Sequence, residues 1–387
     1  MEFQKTNLGE LSVNGKGSYG IAASAVPYSD ELFTYLRITD INDDGILNKS
    51  GLMSVSDEKA EQYLLKPNDI VFARTGGSTG RSYFYDGTDG EFVYAGFLIK
   101  FSIDSTKVNP RFIKYYCLSQ EYRGWVHSFN TGSTRGNINA QTYANMSILL
   151  PSREQQDLLV DTLSVIDEKI KLNTAINENL EQQAQAIYAQ MFIESAEESW
   201  KTGSLSDIAV ITMGQSPKGD TFNETGEGAV FYQGRTDFGF RFPTRRLYTT
   251  EPKRIALCDD ALMSVRAPVG DLNVAYEECC IGRGLAAIHS KDNHQSFVLY
   301  TLFTLKKQLD VFNGEGTVFG SINKESLNSM EITIPPRELM DRFESTVSPI
   351  DRAIRNNYEE ICRLQAIRDT LLPKLMNGEI DVSAVKI

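Results

Sequence analysis

Along residues 152–192 the apolar positions return every three or four residues instead of alternating. Leu159, Leu163, Ile166, Ile170, Leu180, Ala184, Ile187 and Met191, with Asn173 and Asn177 set in the same row, follow alternating steps of four and three. That spacing is the narrow seam of a coiled coil, not the broad face of a helix lying on a globular core. Pro151-Ser152-Arg153-Glu154-Gln155 opens the run, with Ser152 as the cap and Gln155 at the capping-box position. A long helix is predicted from Ser152.

The seam occurs twice. At an offset of 184 residues the same positions are Phe343, Val347, Ile350, Ile354, Asn357, Ile361, Leu364, Arg368, Leu371 and Leu375. The offset also carries Gly132, Gly136, Ile138 and Asn139 onto Gly316, Gly320, Ile322 and Asn323, and Ile166-Asp167 onto Ile350-Asp351. Further upstream it drifts to 197, where Leu8 meets Leu205, Tyr35 meets Tyr232 and Thr39-Asp40 meets Thr236-Asp237. The second copy has therefore lost loop residues relative to the first.

Antiparallel pairing about a pseudo-two-fold axis would bury both seams, Leu163, Ile166, Ile170, Asn173, Asn177 and Leu180 against Val347, Ile350, Ile354, Asn357, Ile361 and Leu364. It would also throw the two heads to opposite ends of a dumbbell. The Asn residues lie near the midpoint, where a buried Asn pair fixes register at some cost in stability; a solvated polar face is the plainer reading. Pro373 is expected to end or kink the second helix near Leu372, with Gly378 as its terminator.

Ahead of each helix lies a mixed segment of strand formers, Gly-rich turns and short helical runs, such as Asp69-Ile-Val-Phe-Ala-Arg74 and Ala261-Leu-Met-Ser-Val-Arg266. The expected class is α+β, with heads over residues 1–151 and 198–335 and spacer helices over 152–197 and 336–387.

Net charge does not advertise a nucleic-acid partner, since 39 Lys and Arg stand against 51 Asp and Glu. Residues 152–197 hold 3 basic and 9 acidic side chains, which keeps the first helix off phosphate. Any anion-binding surface must be local to the heads. The candidates are Lys16, Arg74, Arg81 and Arg135 in the first, and Arg235, Arg241, Arg245, Arg246 and Arg266 in the second. Arginine in a Gly-rich loop can reach phosphate or a guanine edge; ordinary solvated surface is the bland alternative.

Other chemistries lack their residues. The 5 cysteines include no C-x-x-C pair, so neither a disulfide framework nor a zinc site is suggested. Gly15-Lys16-Gly17-Ser18-Tyr19-Gly20 matches G-x-G-x-x-G without a following amphipathic helix. Gly76 to Ser82 lacks a Walker lysine, and His127, His289 and His294 sit in unrelated contexts. No metal-nuclease cluster or amino-methyltransferase loop is legible. The charged start and the lack of an apolar run of about 18 residues point to a cytoplasmic, non-membrane chain.

With the repeat in hand, the sequence resembles the specificity subunits of type I restriction-modification systems over essentially its whole length. The carriers are Ile211-Thr-Met-Gly214-Gln215-Ser216-Pro217, the Gly316 to Asn323 segment before Ile334-Pro335-Pro336, and Leu371-Leu-Pro-Lys-Leu-Met-Asn-Gly378. In the first head Val13 to Ile21 departs from that opening motif. The resemblance implies a non-catalytic recognition subunit whose two heads each read half of a split double-stranded DNA target. It further implies helices that set the gap and dock two methyltransferase subunits, with restriction subunits completing the complex. S-adenosylmethionine, ATP and magnesium would then sit on the partners. An enzyme using the Gly15–Gly20 loop and a coiled-coil adaptor with protein-binding heads are the alternatives.

Overall fold

A computed structural model describes residues 3–49, 51–129, 136–314 and 320–380. The chain divides into two compact units, residues 1–172 with 360–387, and residues 173–359. The division falls inside both long helices, which run over Arg153–Ala189 and Arg337–Met376. Each unit thus holds a head with one stretch of each helix.

In the first unit a ribbon pairs Phe3–Asn7 with Ser147–Pro151. One sheet has the order Ser18–Tyr19, Leu98–Ser102, Asp69–Ala73, Ser82–Tyr85, and a second the order Ala25–Val26, Met53–Val55, Phe33–Leu36, Phe92–Tyr94. The second unit has the ribbon Lys201–Ser204 with Glu331–Ile334, then a sheet ordered Ala209–Met213, Leu285–Ser290, Ala261–Ser264, Leu272–Val274. Its larger sheet is ordered Phe222–Asn223, Leu247–Thr249, Ala229–Tyr232, Cys279–Ile281, Ile255–Ala256. In the second sheet of each unit one pair is parallel, Phe33–Leu36 with Phe92–Tyr94 and Ala229–Tyr232 with Cys279–Ile281.

Short helices follow from local chemistry. Asn139 and Asn323, related by the 184-residue offset, cap Ala140–Ala144 and Lys324–Asn328 by accepting from Thr142 N and Ser326 N, both at 2.8 Å. Asn109 with Pro110 behind it starts Pro110–Tyr116. The Ser152 cap is weaker than expected. Its Oγ accepts from Gln155 N at 3.4 Å, while Gln156 turns back to Pro151 O and accepts from Asn109 N.

Within each unit the two helix stretches pack antiparallel. In the first, Leu159 and Leu163 share a core with Leu372, Leu375, Phe72, Phe112 and Tyr143, and Asp167 faces Arg368 at 3.6 Å. In the second, Asn357 Nδ2 donates to Asn177 Oδ1 at 2.9 Å, and Asn177 Nδ2 donates to Ile354 O at 3.2 Å. Phe343 lies against Tyr188 and Phe192, with ring centres 5.6 and 5.2 Å apart. Val347 and Ile354 complete that core, against which Leu180 and Ile350 pack half-buried. Ile170 and Asn173 are buried, whereas Ile166, Ile361 and Leu364 are only half-buried.

Two expectations need correction. The buried positions shift from Ile187 and Met191 to Tyr188 and Phe192, and from Leu371 to Leu372. A straight helix drifts about 20° per heptad against a 3.5-residue repeat, so a strict seam is lost over this length. Pro373 also does not end the second helix, which continues to Met376. Leu372 and Leu375 are both buried in the first unit's core. Burying two leucines contributes about 3–6 kcal/mol, which offsets the roughly 3 kcal/mol cost of an interior proline. Gly378, at φ 75°, does terminate the helix, donating to Leu375 O while Ile380 N donates to Lys374 O.

Replacing Asn177 by Ala leaves the Asn357 amide without its acceptor and should cost about 1–3 kcal/mol in urea unfolding. Replacing Asn177 and Asn357 together by Leu should be nearly neutral. Equal losses in the single and double variants would show that the two amides do not act as a pair.

Candidate functional site

In both heads the strands end against a glycine that the backbone requires. A Cβ on Gly20 would lie 2.2 Å from Ala95 O, and one on Gly214 would lie 2.1 Å from Gly282 O. Gly20 N donates to Leu98 O, and Gly214 N to Leu285 O. Gly20 is therefore the structural equivalent of Gly214, which the departing sequence around it had concealed. It also gives the last glycine of the Gly15–Gly20 motif a packing role that involves no nucleotide.

A second shared device anchors the central strands. Asn68 and Asp259 take positive φ of 73° and 70°, and the next residues, Asp69 and Asp260, turn their carboxylates back onto Lys66 N and Leu257 N. Asp69 is held by Lys100 at 3.1 Å and Ser102 at 2.5 Å; Asp260 takes His289 Nδ1 at 2.6 Å. Burial raises the Asp260 carboxyl above its ordinary range despite those hydrogen bonds. From this anchor the register follows: Ile138 N donates to Arg74 O, and Ile322 N to Val265 O. Arg74 thus corresponds to Val265, and Arg266 to Thr75.

Around Gly214 several loops are stitched into one rim. Gln215 N donates to Ile281 O, Ile281 N to Arg254 O, Gly284 N to Gln233 O, Val265 N to Gly284 O, and Ala267 N to Gly320 O. The rim carries exposed Gln215, Arg235, Arg254, Arg266 and Arg283. Arg235 is neutralised by Asp271 at 2.9 Å. Among the described residues Arg254, Arg266 and Arg283 meet no carboxylate. The corresponding rim of the first head carries Arg74, Thr75 and exposed Tyr19 and Phe97. The Arg74 guanidinium lies 5.0 Å from the Tyr19 ring centre, and the Tyr19 hydroxyl accepts from Ala140 N at 3.1 Å. Arg74 Nε is buried and without an acceptor among the described residues.

The remaining candidates are scattered or already paired. Lys16 is exposed, and Arg81 pairs with Asp43 at 2.7 Å. Arg245 pairs with Glu277, and Arg246 with Asp237 at 3.1 Å. Arg135 lies outside the described residues. Arg241 is a correction: its side chain is 5% exposed and cannot face a partner. It donates to Tyr300 Oη at 3.0 Å and lies 3.1 Å from Glu181 and 3.7 Å from Asp351. Burial pushes the Asp351 and Glu181 carboxyls up, against the pull of Arg241.

Sequence reasoning missed Gln215 and Arg283 as rim residues. The available signal was Arg283 between Gly282 and Gly284, immediately before a buried strand. His294 is buried on Asp341 at 2.7 Å, a structural role. Among the described residues no His, Cys, Asp and Glu group could hold a metal ion, and no helix is long and apolar enough to cross a membrane.

The type I restriction modification DNA specificity domain matches residues 5–182 and again 197–361. A putative type I restriction enzyme MjaX specificity subunit of Methanocaldococcus jannaschii is 29% identical, covering 89% of this chain and 87% of the relative. The type I restriction enzyme HindI specificity subunit of Haemophilus influenzae is 22% identical, covering 89% and 95%. The solved S subunit of a type I restriction-modification system from M. genitalium has the same fold, with a TM-score of 0.56 at 16% identity over 97% of this chain and 96% of that one.

Two outcomes follow from the geometry. Gly214→Ala and Gly20→Ala should each cost on the order of 3 kcal/mol in denaturant unfolding, whereas Gly77→Ala, which meets open space, should change nothing; a harmless Gly20→Ala would remove the packing role. Arg241→Met leaves two half-buried carboxylates without their cation and should cost about 3 kcal/mol at pH 7. Their folded-state pKa values are raised, so that deficit should shrink as pH falls towards 5. A deficit growing on acidification would contradict the assignment.

Proposed function

Because the chain belongs to the type I restriction-modification DNA specificity family, of recognition rather than catalytic subunits, we propose that each head reads one half of a bipartite duplex target. The observation that carries this reading is one strand-end scaffold built twice with different side chains on its rim. A shared frame with exchanged readers suits two unlike half-sites. Arginines on such rims can position the duplex through phosphate or read base edges in the major groove.

The long helices act in this proposal as an antiparallel coiled coil with a pseudo-two-fold axis. At about 1.5 Å per residue they set the gap between half-sites and dock two methyltransferase subunits. Support comes from the first helix, where Val165 and Leu172, seven residues apart in the first unit, remain 53% and 55% exposed. Apolar surface of that kind marks a partner site more readily than solvent. Restriction subunits complete the assembly, with S-adenosylmethionine, ATP and magnesium held by the partners and the whole working in the cytoplasm.

Methylated bases should be mapped in DNA from cells carrying this chain with its methyltransferase, and from cells in which residues 1–151 come from another family member. The expected result is a split motif in which one half changes and the other half and the gap persist. One added heptad in each helix should lengthen the gap by about three base pairs, from roughly 10 Å of helix. If the exchange altered both halves, the modular reading would be wrong.

A further inference from the structure

The two rims differ most where their backbones match best. Gly284 O accepts from Val265 N as Phe97 O accepts from Arg74 N, and Leu285 N donates to Gly282 O as Leu98 N does to Ala95 O. Arg283 therefore occupies the place of Gly96, and Arg266 that of Thr75. At these two matched positions the second head presents guanidinium groups where the first presents none.

Both side chains spring from backbone that has little freedom to yield. A Cβ on Gly284 would meet Gln233 O at 2.7 Å, and one on Gly282 would meet Gln233 Cα at 3.0 Å, so the Gly282–Gly284 tip is seated on the neighbouring loop. Arg266 is bridged through its backbone to Ser321. Of the surrounding arginines, Arg235 is neutralised by Asp271, Arg245 by Glu277 and Arg246 by Asp237, and Arg254, which also meets no carboxylate among the described residues, stands outside the two matched positions. Arg266 and Arg283 are exposed and meet no carboxylate among the described residues. A planar fork of donors left unpaired on a rigid rim matches the O6 and N7 acceptors of guanine.

We propose that Arg266 and Arg283 are the specificity-determining residues of the second head and that they read guanine in its half-site. The proposal rests on the reading that the heads contact duplex DNA. A fixed G·C pair is expected in the half-site belonging to residues 198–335, identified by exchanging that head. The first head, with Thr75 and Gly96 at the matched positions, distinguishes its bases by other contacts.

The test uses the full chain assembled with its methyltransferase partner and the duplex defined by methylation mapping. Competition binding is measured against duplexes in which each G·C pair of the second half-site is changed to A·T. For the wild-type chain two such changes, one for each arginine, should each weaken binding roughly ten- to a hundredfold. Arg266→Ala or Arg283→Ala should abolish that penalty at one position each and leave first-half discrimination untouched. Arg266→Lys and Arg283→Lys should keep the charge and still lose discrimination. Unchanged unfolding midpoints are expected, because neither side chain is buried or paired.

A second half-site without G·C pairs overturns the proposal. So does a uniform weakening across all duplexes with a shallower salt dependence, the mark of phosphate contact. Failure of the underlying reading looks different: no split motif would be found, and no base change in either half would matter.

Discussion

In each unit one aspartate of a long helix ties the head to that helix, and the placement of the rim depends on it. In the first, Asp167 accepts from Lys114 Nζ at 2.5 Å and from Tyr115 Oη at 3.0 Å, with Arg368 at 3.6 Å. In the second, Asp351 accepts from Ser296 Oγ at 2.7 Å and Tyr300 Oη at 2.9 Å, with Arg241 at 3.7 Å. A carboxylate withdrawn from water costs several kcal/mol unless its lone pairs are met, so only one seating of head on helix satisfies it. Apolar packing alone would tolerate a slide of the head along the helix. The ion cluster supplies direction where the leucines supply adhesion.

The two clusters reach the same end by different residues. Asp167 and Asp351 are related by the 184-residue offset, and Tyr115 and Tyr300 stand at nearly the same offset. The cations are not related: Lys114 comes from the first head and Arg368 from the second helix, whereas Arg241 comes from a loop of the second head. The duplicated scaffold keeps a half-buried acid in both units, because removing it would leave the tyrosine hydroxyl that it meets without an acceptor. The cation can come from any neighbour that reaches it.

That difference explains what the sequence made legible and what it did not. The seam of Leu159, Leu163, Ile170 and their counterparts could be read because helical periodicity is a one-dimensional signal. Arg241 could not be distinguished from Arg245 and Arg246, since burial of one arginine among three in Arg241-Phe-Pro-Thr-Arg245-Arg246 depends on Glu181 and Asp351, far away in sequence. The equivalence of Gly20 with Gly214 was hidden for a related reason. It lies in a carbonyl about 2 Å from where a Cβ would sit, supplied by the residue just past the end of a strand, some seventy residues further on. The Arg74 and Arg266 motifs looked aligned by composition, yet the anchoring Asp69 and Asp260 place them one residue apart.

A chain with a net charge of -12 that addresses DNA needs a way to concentrate attraction. Here most candidate arginines are neutralised internally, as Arg81 is by Asp43 and Arg246 by Asp237, so they add little long-range pull. Few phosphate contacts mean few released counterions and hence weak non-specific binding. Weak background attraction is an advantage to a reader that must reject almost every sequence it meets, because the discrimination ratio is set against that background. The cost is slow encounter, since electrostatic steering is lost with the charge. A chain so built favours selectivity over speed, because the charges that would hasten encounter are taken up by its own carboxylates.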